Sequence, residues 1–346
     1  MIYTKNESKA IQQVATAAAK NLINGFWACD GKNLFTVCAN YNLSTPCESS
    51  GAWVIPSRSF LDAVKGAKEV NIDFDKETNT INICGCKFAA MAFDDAKNIL
   101  NDAEQPINKG LYRIDRTNDE LLDAADFVST DQTRFNLTGV YVDSGIWATD
   151  GHRAKITNPI PAESKTGNAV IIPANIIKWF GKLNAEFFAS MDDTQILTNV
   201  ERVSILCDAI EGPYPNIRAV IPTLFDNEIH INSRDFKKLD AFLDRAKKLV
   251  KRTRKFSFVI GPNYIKVNAI DIDSGLEISE ILDNSYVTGD TPVNIGFDAA
   301  YAQQIERKII KQDKTAVSFV IKYNTAISAT LWNDNYLLMP VRLYED

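Results

Sequence analysis

Histidine is scarce in this chain of 346 residues: only His152 and His230 occur, far apart. The six cysteines, Cys29, Cys38, Cys47, Cys84, Cys86 and Cys207, form no C-x-x-C pair. A zinc site, which draws on closely spaced Cys and His, is therefore not expected. The cysteines read as reduced thiols packed as small hydrophobes, with Cys84 and Cys86 on one face of a strand. No G-x-x-x-x-G-K-[ST] loop is present, so ATP hydrolysis would have to come from a partner. No G-x-S-x-G is present either, which leaves Asp150-Gly151-His152 without the nucleophile a hydrolase needs. The carboxylates are scattered rather than grouped for two-metal chemistry. No stretch reaches the ~18 apolar residues of a membrane helix, and MIYTKNESKAIQQ lacks the basic-then-apolar layout of a signal peptide. These absences lead us to expect a cytoplasmic protein with no catalytic residues, no metal and no cofactor.

The composition is that of a globular protein, with 45% hydrophobic and 24% charged residues. A single core rarely grows past roughly 250–300 residues, so two or three domains are expected. The net charge is −6, which does not suggest general affinity for nucleic acid. Its distribution is uneven. Residues 225–346 balance 17 Lys+Arg against 17 Asp+Glu, so the whole excess of acid lies in residues 1–224. Residues 245–255, RAKKLVKRTRK, carry seven basic side chains and no acid.

A long-period repeat organises the chain. A strand ending in apolar residues and followed by a short amphipathic helix occurs at 53–68 (WVIPSRSFLDAVKGAK), 169–184 (AVIIPANIIKWFGKLN) and 293–308 (VNIGFDAAYAQQIERK). Aligning Pro56, Pro173 and Phe297 gives spacings of 117 and 124 residues. A longer amphipathic helix opens each third. The first covers 7–20 and turns Ile11, Val14 and Ala18 inward. The second follows Thr117, with Glu120 completing a capping box, and turns in Leu121, Leu122, Ala125 and Val128. The third starts near Ser233 and turns in Phe236, Leu239, Phe242, Leu243, Ala246 and Leu249. Between helices, segments such as 79–93, 201–210, 264–271 and 326–340 alternate apolar and polar residues as half-buried antiparallel strands do. The fold class is α+β, with antiparallel sheets backed by two helices per repeat. Periodicity lapses near 101–110 and 221–227, which puts domains at 1–105, 106–224 and 225–346.

Two segments carry a family resemblance: ATDGHRAKI (148–156) and NYLLMPVRL (335–343). With TRFNLTGV (133–140), EGPYPNIRAVIP (211–222) and IGFDAAY (295–301), in that order and spacing, the last two thirds of the chain resemble the bacterial β sliding clamp. In the first third only the element pattern matches. The resemblance implies three clamp domains per chain and a head-to-tail homodimer closing a six-domain ring around duplex DNA. Helices would line the hole and sheets would form the outer wall. It implies, as partners, sequence-independent duplex DNA, a DNA polymerase catalytic subunit, an ATP-driven clamp loader and a second copy of the chain.

The resemblance also implies a peptide-binding cleft between the second and third domains. Its walls would be Leu137, Thr149, Gly151, His152, Arg153, Ala154, Pro215, Val220 and the run Leu337, Leu338, Met339, Pro340, Val341, Arg342 and Leu343. Leucine and methionine suit a soft apolar pocket, and Arg153 and Arg342 suit peptide carbonyls or an acidic side chain. Met339 and Pro340 read equally well as core. On the DNA side the candidates are Lys20, Arg134, Phe135, Lys178, Lys247, Lys248, Lys251, Arg252 and Arg254. Mobile cations facing phosphates hold DNA without reading it, as sliding requires. The basic run 245–255 reads equally as a solvated helix face whose cations complement a helix C-terminus.

Several positions depart from the family. Ala154 stands where a larger aliphatic residue is usual, which would deepen or loosen the pocket. Ala219, Thr253 and Asp298 also differ, and Tyr344, Glu345 and Asp346 run past the usual leucine end. The segment after the first helix is short, leaving Lys20 as the nearest basic stand-in there. The alternative reading is a clamp-like scaffold that binds peptides without encircling DNA. A further one is a DNA-binding regulator that uses the basic run.

Overall fold

The computed structural model describes residues 1–20, 25–38, 41–92, 110–157, 169–250, 252, 254–261, 264–289 and 293–343, and no side chain for Lys20, Val37, Cys38 and Ala92. Lys251, Thr253 and residues 344–346, singled out above, lie outside the described residues, as does the Lys20 side chain.

The helices are α1 (Lys5–Lys20), α2 (Ser57–Val64), α3 (Asn118–Ala124), α4 (Ala174–Phe180), α5 (Phe236–Leu249) and α6 (Ala299–Gln312). The first strands are β1 (Phe26–Cys29), β2 (Asn33–Cys38), β3 (Tyr41–Pro46), β4 (Trp53–Pro56), β5 (Ile72–Asp75), β6 (Thr80–Ile83), β7 (Cys86–Ala89), β8 (Met91–Ala92), β9 (Leu111–Arg113) and β10 (Gly139–Val142). They continue with β11 (Ile146–Thr149), β12 (Arg153–Ile156), β13 (Val170–Pro173), β14 (Glu186–Ser190), β15 (Gln195–Val200), β16 (Val203–Asp208) and β17 (Asn227–Asn232). The last are β18 (Lys255–Gly261), β19 (Tyr264–Asp271), β20 (Leu276–Leu282), β21 (Tyr286–Gly289), β22 (Ile295–Asp298), β23 (Ser318–Tyr323), β24 (Thr330–Trp332) and β25 (Tyr336–Leu338).

These elements form two compact units. The first comprises Met1–Ala125, Gly139–Ser144 and Pro161–Gly212. Its main sheet is antiparallel and nine-stranded, in the order β8-β4-β1-β2-β3-β16-β15-β14-β9. β16 meets β3 with Ser204 opposite Ser44, so strands from the first and second sequence repeats share one sheet. A smaller sheet runs β5-β6-β7, and β10 pairs with β13. α1 packs against α2, and α3 against α4. α1 buries Ala10, Ile11, Val14 and Ala18 at helical spacing, and Trp27 stacks on Phe60 with centroids 3.9 Å apart. Burying a larger side chain such as Ile11, Val14 or Phe60 contributes about 1.5–3 kcal/mol by taking it out of water.

The second unit comprises Asp126–Thr138, Gly145–Ile160 and Pro213–Asp346. Seven of its strands run β11-β12-β25-β24-β23-β17-β21, and four more run β20-β19-β18-β22. α5 and α6 pack on each other. The core is an aromatic cluster: Phe256 lies 6.0 Å from Phe242 and 5.4 Å from Phe258, and Phe297 meets Trp332 edge-on at 5.4 Å. Among the described residues no helix is long and apolar enough to cross a membrane.

The element pattern read from the sequence is present, with corrections. Segment 79–93 is not one strand. It folds back at Cys84-Gly85, where φ is +51° and +86°, so Cys84 sits in a turn and only Cys86 is on a strand. Segment 326–340 likewise breaks at Asn333-Asp334, both left-handed, into β24 and β25. Two successive residues at positive φ match the twist of a tight hairpin, and that outweighs the alternation. The helix after Thr117 has its capping box but ends at Ala124, short of Val128. Tertiary bonds take over there: the Asp126 carbonyl accepts from Arg153, and Ser129 N–H bonds Leu137 O. Leu137 belongs to a 3₁₀ segment, Gln132–Thr138, rather than to a strand. Leu249 is 43% exposed instead of buried.

Candidate functional site

The two segments that carry the resemblance are neighbours in the second unit. β11 and β12 form a hairpin whose turn is Asp150-Gly151-His152. Asp150 Oδ1 accepts from the backbone N–H of His152 (2.9 Å) and Arg153 (3.1 Å). Thr149 Oγ1 accepts from Gly151 N–H (3.0 Å) and donates to Arg153 O (2.7 Å). Gly151 has φ +92°, a conformation open to glycine and strained for other residues, and a Cβ there would lie 2.9 Å from Arg134 Nη1. β12 then pairs with β25, Arg153 opposite Leu338 and Ala154 opposite Leu337, and Met339 N–H bonds His152 O at 2.9 Å.

A third segment joins the same turn. Thr149 N–H donates to the Tyr214 hydroxyl at 3.1 Å, and Asn136 Nδ2 donates to Pro213 O at 2.7 Å. Burial pushes the Tyr214 phenol well above its usual range, and the Asp150 charge adds to this against the Thr149 N–H. The hydroxyl therefore stays protonated and holds the loop 213–220 beside the turn.

Of the fifteen cleft residues expected from the sequence, Leu137, Thr149, Arg153, Ala154, Leu337 and Leu338 are buried. Gly151, His152, Pro215, Val220, Met339 and Arg342 are exposed, and Pro340, Val341 and Leu343 are half-buried. The buried set forms the supporting layer, and the exposed set is a mainly apolar surface with Val220 52% exposed. Residues 341–343 are also fastened: Val341 N–H bonds Gly296 O at 2.8 Å, Lys255 Nζ bonds Arg342 O at 3.1 Å, and Leu343 covers Gly296.

The candidate DNA residues are distributed over both units. In the second unit, Lys247 is half-buried, with Nζ on Gln303 Oε1 at 2.7 Å, whereas Lys248 is exposed and pairs with Asp244 at 2.5 Å. Arg252 pairs with Asp273 at 3.1 Å and Arg254 with Asp298 at 3.2 Å. Arg134 pairs with Asp131 at 3.5 Å beside an exposed Phe135. Lys178 is exposed on α4 of the first unit. Reading only the run 245–255 missed the rest of the α5 surface. Lys237, Arg245 and Lys248 are exposed along α5, and Arg234 is exposed in the 3₁₀ turn Ser233–Asp235 just before it. Lys5 and Lys9 likewise share the exposed face of α1. Their spacing against the buried stripe was the available signal.

No family model matches the chain. Among curated proteins it is similar to the beta sliding clamp of Rickettsia bellii, 24% identical over 331 residues, covering 85% of this chain and 83% of that protein. It is 23% identical over 343 residues to the beta sliding clamp of Chlamydia trachomatis, covering 92% and 79%. Among solved structures, the sliding clamp of Bartonella birtlesii bound to griselimycin superposes with TM-score 0.75 at 20% identity over 99% of both chains. The Caulobacter crescentus pol III beta structure gives 0.75 at 19% identity over the same share. The fold is that of the sliding clamps. In sequence and in fold the chain is thus similar to bacterial beta sliding clamps, whose solved structures are described as DNA polymerase III beta subunits.

Proposed function

We propose that the chain is a non-catalytic DNA sliding clamp. Two copies join head to tail into a six-domain ring around duplex DNA, and the surface around Gly151, His152, Val220 and Met339 tethers the polymerase and the ATP-driven loader through short peptides. The observation that carries this reading is the pairing of β12 with β25. It brings residues 149–154 and 337–343, far apart in sequence, into one surface of apolar side chains over a hydrogen-bonded turn. Such a surface suits an extended peptide.

The division at 1–105, 106–224 and 225–346 goes with this proposal. It is supported by one helix pair per third: α1 with α2, α3 with α4, α5 with α6. Head-to-tail closure requires two different free edges per chain. Among the described residues, β7 ends the three-stranded sheet and β20 ends the four-stranded sheet. Each offers unpaired backbone groups to a second copy. The exposed basic stripe of α5 supplies cations for phosphates without groups that would read bases. A cytoplasmic location follows from the same reading.

The test is solution mass by light scattering over a dilution series, followed by retention on closed circular DNA after loading. A dimer of about twice 38.6 kDa that leaves linearised DNA and stays on circles supports the ring. A monomer at micromolar concentration sinks it and leaves the peptide-binding scaffold. The Bartonella birtlesii clamp is bound to griselimycin, and we propose that this compound takes the same apolar surface here, so it serves as probe.

A further inference from the structure

Arg153 is buried and engaged by its neighbours on every nitrogen. Its side chain is 8% exposed, and Nε bonds Asp150 Oδ2 at 3.0 Å. Nη1 bonds Gln304 Oε1, and Nη2 bonds Asp126 O at 3.3 Å. The guanidinium lies between two rings, 4.9 Å from the centre of Phe127 and 4.5 Å from that of Tyr301. Each of the three nitrogens thus donates at least one hydrogen bond within the fold, and two aromatic rings pack on the guanidinium. The partners come from three places: the turn itself, the segment Asp126–Phe127, and helix α6 through Tyr301 and Gln304. Two further bonds close the clasp: Gln304 Nε2 to Asp126 O at 3.4 Å, and Lys308 Nζ to Asp126 Oδ2 at 2.8 Å.

We infer that Arg153 is a positioning residue: it bolts the 150–153 turn to α6, so that peptide affinity at the cleft depends on α6 without Arg153 touching the peptide. This rests on the cleft reading above. The route is short. The turn displays Gly151 and His152, and His152 O holds Met339 N–H, so whatever fixes Arg153 fixes both sides of the candidate surface. His152 also lies over Tyr301, with ring centroids 6.0 Å apart. In the proposed division, Arg153 and Asp126 belong to the second domain and α6 to the third, so the clasp sets the relation of the cleft's two sides. Lysine does not replace arginine here, because it keeps the charge but loses the fork and both stacked faces.

The experiment uses the full chain with R153K, Q304A and the double variant. Griselimycin affinity is measured by calorimetry, and hydrogen exchange is followed at 150–153 and 301–308. Each single variant is expected to weaken griselimycin roughly 5- to 20-fold, with the double no weaker than the stronger single, as for one coupled unit. Exchange is expected to quicken at both the turn and α6. Weakening by R153K alone, with Q304A silent and exchange at the turn unchanged, overturns the inference in favour of direct contact with the ligand. Faster exchange with unchanged affinity overturns it in favour of a purely structural clasp. If the wild-type chain does not bind griselimycin, the cleft reading and the affinity claim fall together. Exchange then still decides whether Arg153 holds the turn to α6.

Discussion

Arg202 grips the buried carboxylate of Glu7 with two hydrogen bonds, Nε to Oε1 at 2.7 Å and Nη2 to Oε2 at 2.8 Å. This ties the start of α1 to the β15–β16 hairpin within the first unit. Burial alone would raise the Glu7 pKa. The Arg202 hydrogen bonds and the Thr4 N–H outweigh it and hold the carboxyl below the usual carboxylate range. A depressed folded-state pKa gives stability that is present above the unfolded value and lost as pH falls through the folded one. R202M should therefore lower the thermal midpoint by a few degrees at neutral pH, because it strands a buried charge. The deficit should shrink as acid protonates Glu7 in both proteins. Thermal melts from pH 7 down to pH 3 check this; a deficit unchanged with pH would mean the pair acts through packing alone.

Glu306 is the opposite case. It is fully buried on α6, and neither carboxyl oxygen has a hydrogen-bond partner among the described residues. Burial, then the Asp240 charge, push its pKa up to about 8 against the pull of Arg307. Asp240 itself is held low by Arg307, at 2.6 Å, and by Gln303. A raised carboxyl binds its proton in the folded state while the unfolded chain has released it. Stability thus falls as pH rises from the unfolded value to about 8, and is level beyond. E306Q should abolish this slope, which amounts to about 1 kcal/mol per pH unit. Denaturant midpoints of the two proteins at pH 5 and pH 8 decide it: the variant should gain on the wild type at the higher pH.

The parts of this molecule legible in sequence are those with a local cause. The capping box at Thr117 and Glu120, the inward stripe of α5 and the apolar pair ending β4 and β13 are set by neighbours in the chain. What was not legible comes from contacts distant in sequence. Nothing in ATDGHRAKI says that Arg153 is consumed by Asp126, Tyr301 and Gln304. Nothing in RAKKLVKRTRK says that Lys247 is drawn to Gln303 while Lys237, outside the run, is exposed. The hairpins at Cys84-Gly85 and Asn333-Asp334 are local turns, and the glycine and the polar run Asn333-Asp334-Asn335 were the available signals for them.

The α5 stripe gives a graded prediction. Replacing Lys237, Arg245 and Lys248 with glutamine one at a time should weaken duplex DNA binding uniformly across sequences. Each lost phosphate contact should flatten the salt dependence of log affinity by about 0.9. Arg245 already pairs with Glu280 at 3.3 Å and Lys248 with Asp244, so Lys237 should have the largest effect of the three. Salt titrations of each variant on one duplex and on a scrambled duplex measure it. A sequence-dependent loss would contradict sliding.

The β20 edge tests assembly separately from DNA. Leu276 and Ile281 on this strand are 39% and 48% exposed, and Leu249, 43% exposed, ends the helix α5 that packs on β20. An open edge flanked by exposed apolar side chains invites another strand, and inward-facing or edge lysines are how sheets refuse one. L276K/I281K should therefore halve the solution mass to 38.6 kDa while leaving the melting curve of the isolated chain nearly unchanged, since neither side chain is buried in it. Griselimycin affinity should be untouched, because none of the candidate cleft residues lies on β20. Charge reversal at Lys87 on β7 should have the same effect on mass if the two edges meet, because β20 presents Glu277 and Glu280. A double-mass species surviving both sets of changes would move the assembly interface away from these edges.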